Sequence, residues 1–109
     1  MTVKELVDAL ALEILALPDP DREILGAYAG DLLSWVMGRA EEGNAWATIM
    51  TNQNVLAVAT LINTSCVIVC ENSEVDHDVI RLAQIKDVNL LRTSRPIYET
   101  CVSLSKLGL

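Results

Sequence analysis

The chain has 109 residues, 51 % of them hydrophobic, and its 8 lysines and arginines stand against 15 aspartates and glutamates for a net charge of −7. That length suits one domain, since domains usually run ~100–150 residues, and that hydrophobicity excludes a disordered acidic tail. The acidic balance makes DNA and RNA backbones poor partners, because neutralising phosphates requires a basic surface.

Thr2 followed by Glu5 is a capping box, and Val3, Leu6, Val7 and Leu10 repeat with helical spacing. The pattern predicts an amphipathic helix over residues 3–10. A short apolar run, 12–15, predicts a strand, and the two prolines of Pro18-Asp19-Pro20-Asp21 predict a turn. Residues 24–29 read as a second strand, ending at Gly30. Asp31 then stands as the N-cap of a helix through Leu32, Trp35 and Met37, with Gly43 available as its left-handed C′ residue.

The run 45–50 is apolar without alternation, the pattern of a central strand covered on both faces. Residues 55–62 predict a helix that is apolar nearly all round. Residues 66–70 form another central strand, and Ser73 or Asp76 caps a helix through Ile85. Residues 89–91 are a last strand. Ser94 can cap a final helix with Pro96 in its first turn, Ile97, Thr100, Cys101, Leu104 and Leu107 on one stripe, and Gly108 at its end. The order αββα-βα-βα-βα predicts an α/β three-layer sandwich around a mostly parallel central sheet, with right-handed crossovers.

Three cysteines, Cys66, Cys70 and Cys101, contain no Cys-x-x-Cys. On one strand Cys66 and Cys70 would lie ~13 Å apart, beyond the ~7 Å reach of a disulfide. They read as buried thiols. No basic segment precedes an apolar one as in a secretory signal, and no apolar run approaches the ~20 residues of a membrane span. A cytoplasmic location is the expectation.

No P-loop, dinucleotide fingerprint or nucleophile elbow occurs. The lone histidine, in Asp76-His77-Asp78, reads as a solvated helix start. No metal or cofactor is expected. In open α/β sheets, ligands bind beyond the carboxyl ends of the strands, where helix N-termini attract anions. The candidate ligand residues there are Asp31, Ser34, Thr51, Asn52, Asn54 and Arg95, for a nucleotide or phosphate. Asp31 would cap a helix or accept a hydroxyl hydrogen bond. The apolar excess of two helices predicts a homodimer through Leu32, Trp35, Val55, Val58 and Leu61.

The segment Asp21-Arg22-Glu23-Ile24-Leu25-Gly26-Ala27-Tyr28-Ala29-Gly30-Asp31-Leu32-Leu33-Ser34-Trp35-Val36-Met37 resembles the opening of the DRTGG domain family. Trp46-Ala47-Thr48-Ile49-Met50-Thr51-Asn52 resembles its central strand and loop, and the resemblance extends over residues 1–109 as one domain. Ala27 and Asn52 depart from the common pattern. The resemblance implies a fold like the N-terminal domain of HPr kinase/phosphorylase, a tendency to dimerise, and a regulatory task. Such chains are often labelled HPr serine kinases, yet this one has no P-loop and no room for a kinase domain. The expected function is therefore non-enzymatic ligand sensing. The alternative implied by the resemblance is a protein-interaction accessory subunit of a redox complex, hydrogenase- or NADH-dehydrogenase-like.

Overall fold

The computed structural model describes residues 1–109. Its elements are α1 (Val3–Leu10), β1 (Glu13–Ala16), β2 (Gly26–Ala29), α2 (Leu33–Arg39), β3 (Asn44–Thr48), α3 (Asn54–Ile62), β4 (Cys66–Val69), α4 (His77–Ile85), β5 (Leu90–Arg92) and α5 (Ile97–Lys106). The expected order of helices and strands is met throughout. No helix is long and apolar enough to cross a membrane.

The five strands form one sheet in the order β1-β5-β4-β3-β2. Neighbours from β2 to β5 pair in parallel, whereas β1 pairs antiparallel with β5. The crossovers through α2, α3 and α4 all step across the sheet in one direction. Right-handed crossovers therefore place all three helices on the same face. The packing agrees. Val36 of α2, Val55, Leu56, Val58 and Ala59 of α3 and Ala83 of α4 share one core with Trp46, Val67, Val69 and Leu90 of the sheet. On the opposite face, Val3, Leu6 and Val7 of α1 and Leu104 of α5 pack on Ala45, Ala47, Cys66, Ile68 and Leu91.

Successive strand side chains point to opposite faces, so β3 and β4 supply both cores and must be apolar on both sides. This is why residues 45–48 lack alternation; the expected strand 45–50 ends at Thr48, and Ile49 beyond it is exposed. Each fully buried Leu or Ile stabilises the fold by ~1.5–3 kcal/mol. Trp46, fully buried, satisfies its indole by donating Nε1–H to the Gly30 carbonyl at 2.9 Å.

The helix ends show where tertiary contacts override local signals. The Thr2–Glu5 capping box forms as expected, with Thr2 N–H donating to Glu5 Oε1 at 2.8 Å and Glu5 N–H to Thr2 Oγ1 at 3.2 Å. Those bonds hold the Glu5 carboxyl below its usual range. Asp31, expected at the N-cap of α2, is not there: Leu32 occupies that position without a side-chain bond. Ser94 does not cap α5, whose N-cap is Pro96. The Ile97 N–H instead donates to Glu71 Oε2, at 3.1 Å, from the loop after β4. Gly43 is not the C′ residue of α2, which ends at Ala40 in an extended conformation. Its left-handed conformation, φ +81°, belongs to the turn into β3, where an added Cβ would lie 2.7 Å from the Leu25 side chain. Leu107 lies beyond the last turn of α5 and is exposed, off the stripe it was expected to extend.

The expectation that five residues line a dimer face needs correction. Val55 and Val58 are 2 % and 6 % exposed, while Leu32, Trp35 and Leu61 are 61 %, 54 % and 72 % exposed. Helix α3 turns its valines onto the sheet, so only the second group can meet a partner. Leu61 and its neighbours Ala57 and Thr60 form the solvent side of α3.

Candidate functional site

The carboxyl ends of β2 to β5 gather at one edge of the molecule, and the loops leaving them carry most of the polar candidates. Asp31, after β2, is committed to structure. Its Oδ1 accepts the Thr48 hydroxyl at 2.8 Å and the Ile49 N–H at 2.8 Å. Thr48, fully buried, in turn accepts the Met50 N–H at 3.2 Å. This network ties the loop after β2 to the end of β3. Asp31 does not cap α2, and the hydroxyl that its Oδ1 accepts is that of Thr48, within the protein.

Beyond Thr48, the Asn52 side-chain Oδ1 accepts the Asn54 N–H at 2.9 Å at the start of α3. Thr51, Asn52 and Gln53 line an open cleft of about 420 Å³, whose other wall is Asp76, Asp78 and Val79 at the start of α4. Asp78 is paired with Arg81 one turn along the helix. With two carboxylates and neutral amides, this cleft offers acceptors and neutral donors. It has no cation facing it to balance a phosphate. Ser34 and Asn54 are exposed and lie outside its lining.

Arg95 belongs to a different cleft. It lines a space of about 280 Å³ with Asn72, Arg92, Thr93 and Ser94 from the ends of β4 and β5, closed on the far side by Leu10, Ala11 and Glu13. The expected ligand residues therefore do not converge: Thr51 and Asn52 stand at one cleft and Arg95 at another.

The position of the second cleft follows from the topology. The loop after β4 leads to α4 on one face of the sheet, whereas the loop after β5 leads to α5 on the other. Adjacent loops that part to opposite faces define the switch point at which open α/β sheets place ligands. The two loops are stitched together. Glu71 N–H donates to the Arg95 carbonyl at 2.9 Å, and Asn72 N–H to the Thr93 carbonyl at 3.0 Å. Glu71 and Asn72 both have positive φ, 62° and 55°, and the Ser73 N–H closes the turn onto the Cys70 carbonyl at 3.3 Å.

Arg92 was not singled out from the sequence. It ends the apolar strand β5, and an arginine at the carboxyl end of a core strand was the signal available. Its Nη2 donates to the Asn72 carbonyl at 3.0 Å and to Asn72 Oδ1 at 2.9 Å. Its Nη1 lies 3.7 Å from Glu13 Oε1. Its Nε is buried with no acceptor. Arg95 makes no ion pair.

Arg22, in the segment that carries the sequence resemblance, is structural. Its guanidinium donates to the Asn63 side-chain oxygen at 2.9 Å and to the Asn63 carbonyl at 2.8 Å, clamping the loop before β2 onto the end of α3. The three thiols are free, Cys66 and Cys70 being buried. Burial pushes the Cys66 thiol up to about 12 and raises that of Cys70.

Fold and strand-end clefts together define an α/β/α domain with its open face at the carboxyl edge of the sheet. The fold is DRTGG-like. It matches the crystal structure of the CBS and DRTGG domains of the regulatory region of Clostridium perfringens pyrophosphatase, complexed with its activator, diadenosine tetraphosphate, with a TM-score of 0.70 and 13 % sequence identity. The match covers 94 % of this chain and 45 % of that one, so the chain spans less than half the length of the protein it resembles. No protein-family model matches the sequence, and no curated protein matches it.

Proposed function

We propose that residues 1–109 form a single regulatory, non-enzymatic domain that senses a small anionic ligand, such as a nucleotide, and works as a cytoplasmic homodimer. The observation that carries this reading is the fold shared with a pyrophosphatase regulatory region that was crystallised with a dinucleotide activator. The clefts at the carboxyl edge of the sheet support it, because that edge is where such folds hold ligands. The carboxylates and amides of the Thr51–Asn52 cleft suit the hydroxyls and ring donors of a nucleoside, and Arg95, in the separate cleft at the end of β5, suits a phosphate's charge. Ligand binding across loops that lead to different helices would favour one arrangement of those helices over another, and so shift a population.

The test is thermal unfolding against a nucleotide panel. Ligand at ~100 times its dissociation constant adds ~2.7 kcal/mol, which for a domain of this size raises Tm by roughly 10 °C. Unchanged melting across mono-, di- and dinucleotides would remove the sensing function.

A second reading has its own observation. Leu32, Trp35 and Met37 are all exposed around α2, with the Arg39 guanidinium stacked 3.8 Å above the Trp35 ring. That face suits a protein partner, which is the accessory-subunit alternative. Pull-down from native lysate separates the two: a heterologous partner lost on Trp35→Ala favours docking, and recovery of the self-dimer alone favours sensing.

A further inference from the structure

The cleft at the switch point has a chemistry that the rest of the strand-end edge lacks. The open cleft beside Thr51 and Asn52 is walled by two carboxylates. The cleft at Arg92 and Arg95 holds two guanidiniums and one carboxylate, Glu13. In a chain with net charge −7, two arginines on one concavity concentrate positive potential where the surroundings are negative.

We infer that this cleft is a phosphoryl-group site, with Arg95 as the free clamp, Arg92 as the anchored one, and Ser94 as an added hydroxyl donor. The inference rests on the sensing function proposed above and names the part of the ligand that the domain grips.

Four observations meet here. Arg95 has no ionic partner and lines the cleft. Arg92 is held in place by two hydrogen bonds to Asn72 yet keeps a buried Nε–H without an acceptor. A buried guanidinium donor left unpaired is costly, and an anion beside Arg92 adds negative charge to a guanidinium whose one carboxylate neighbour, Glu13, stands 3.7 Å away. The planar guanidinium fork matches phosphate oxygens two at a time. Finally, the open cleft, about 280 Å³, has room for a phosphate or diphosphate group.

Glu13 plays a defined part. Its carboxylate, 3.7 Å from Arg92 Nη1, occupies the cationic cleft and competes with any incoming anion. Its removal should therefore strengthen binding. A merely structural cluster would respond in the opposite sense, since losing an ion pair weakens it. Arg92 also links the site to the fold. The same side chain holds the Glu71–Asn72 turn, and Glu71 caps α5. An anion that draws Arg92 away from Asn72 loosens that turn and the cap together.

The experiment is calorimetric titration of the protein with inorganic pyrophosphate at low ionic strength, using wild type, Arg95→Ala and Glu13→Gln. Both substituted side chains are exposed, so both variants should fold, and their circular dichroism and Tm verify this. The expected result is saturable binding that weakens about tenfold in Arg95→Ala, tightens about threefold in Glu13→Gln, and weakens in high salt. Acetate at matched ionic strength should not saturate. Pyrophosphate or nucleotide binding that is equal in all three proteins would overturn the site and leave the sensing function standing. Equal binding of acetate would overturn it as well, since the cleft would then be an unselective cation patch. Absence of binding by pyrophosphate and every nucleotide would overturn both.

Discussion

At the scale of single residues, the polar side chains that fold the chain are those that tie one loop to another. Asn89, buried at the start of β5, donates to the Asp19 carbonyl at 2.8 Å and to the Ser65 carbonyl at 2.9 Å, and accepts the Asp19 N–H at 3.0 Å. It pairs both backbone groups of Asp19 and so ties the two-proline turn to the residue before β4. Cys66 illustrates a different residue-level effect. Its thiol, buried between sheet and helix, is pushed up to about 12 because burial disfavours the thiolate. In the unfolded chain it ionises near the ordinary thiol range. Below that range both states are protonated and the contribution is intact. As pH rises from about 9 towards 12 only the unfolded state loses its proton, so stability falls by ~1.4 kcal/mol per pH unit. Denaturant unfolding of wild type and Cys66→Ala between pH 8 and 10.5 should show a shallower alkaline decline in the variant. Equal slopes would mean that the thiol ionises in the folded protein.

At the scale of elements, α2 and α3 look alike as sequences and differ in the fold. Both are apolar beyond a single stripe. Helix α3 spends Val55, Leu56, Val58 and Ala59 on the core, whereas α2 commits only Val36 fully. Glutamate at Val58 would bury an unpaired carboxylate, at a cost of ~3–5 kcal/mol. Val58→Glu should therefore unfold or melt far below wild type, whatever the oligomeric state. Leu32→Glu sits on the surface, where substitutions usually change stability by about 0.5 kcal/mol or less. Its expected effect is a folded protein of half the wild-type mass by light scattering. A Leu32→Glu protein with an unchanged mass would move the dimer face elsewhere.

At the scale of the whole molecule, handedness decides the layout. Three right-handed crossovers in one direction load α2, α3 and α4 onto one face, and the last strand must send α5 to the other side to cover it, beside α1. The only adjacent loops that part are then those after β4 and β5, which is why the arginine cleft lies there and not at the end of β3. The exposed apolar residues at and beside α2, Leu32, Trp35 and Met37, are the whole-molecule argument for association. Sedimentation equilibrium at micromolar concentration should report twice 11.9 kDa. A single species at the monomer mass would leave the sensing proposal without its dimer.

The order of elements, the parallel core and the capping box of α1 were legible in the sequence because they depend on periodicity and short-range hydrogen bonds. The resemblance to the DRTGG family was legible as well, and the fold is of that kind. The caps of α2 and α5 were not legible. Asp31 and Ser94 have the right chemistry at the right spacing, but Thr48 competes for the first side chain, and Glu71, 26 residues before the Ile97 N–H that it accepts, takes the place of the second. Nor could the chain alone separate Arg95 from Thr51 and Asn52, or join it to Arg92 and Glu13. Local patterning sets which segments are helix or strand. Which loops meet depends on the direction of each crossover and on the side of the sheet where each helix lands, and those become definite only when the layers pack.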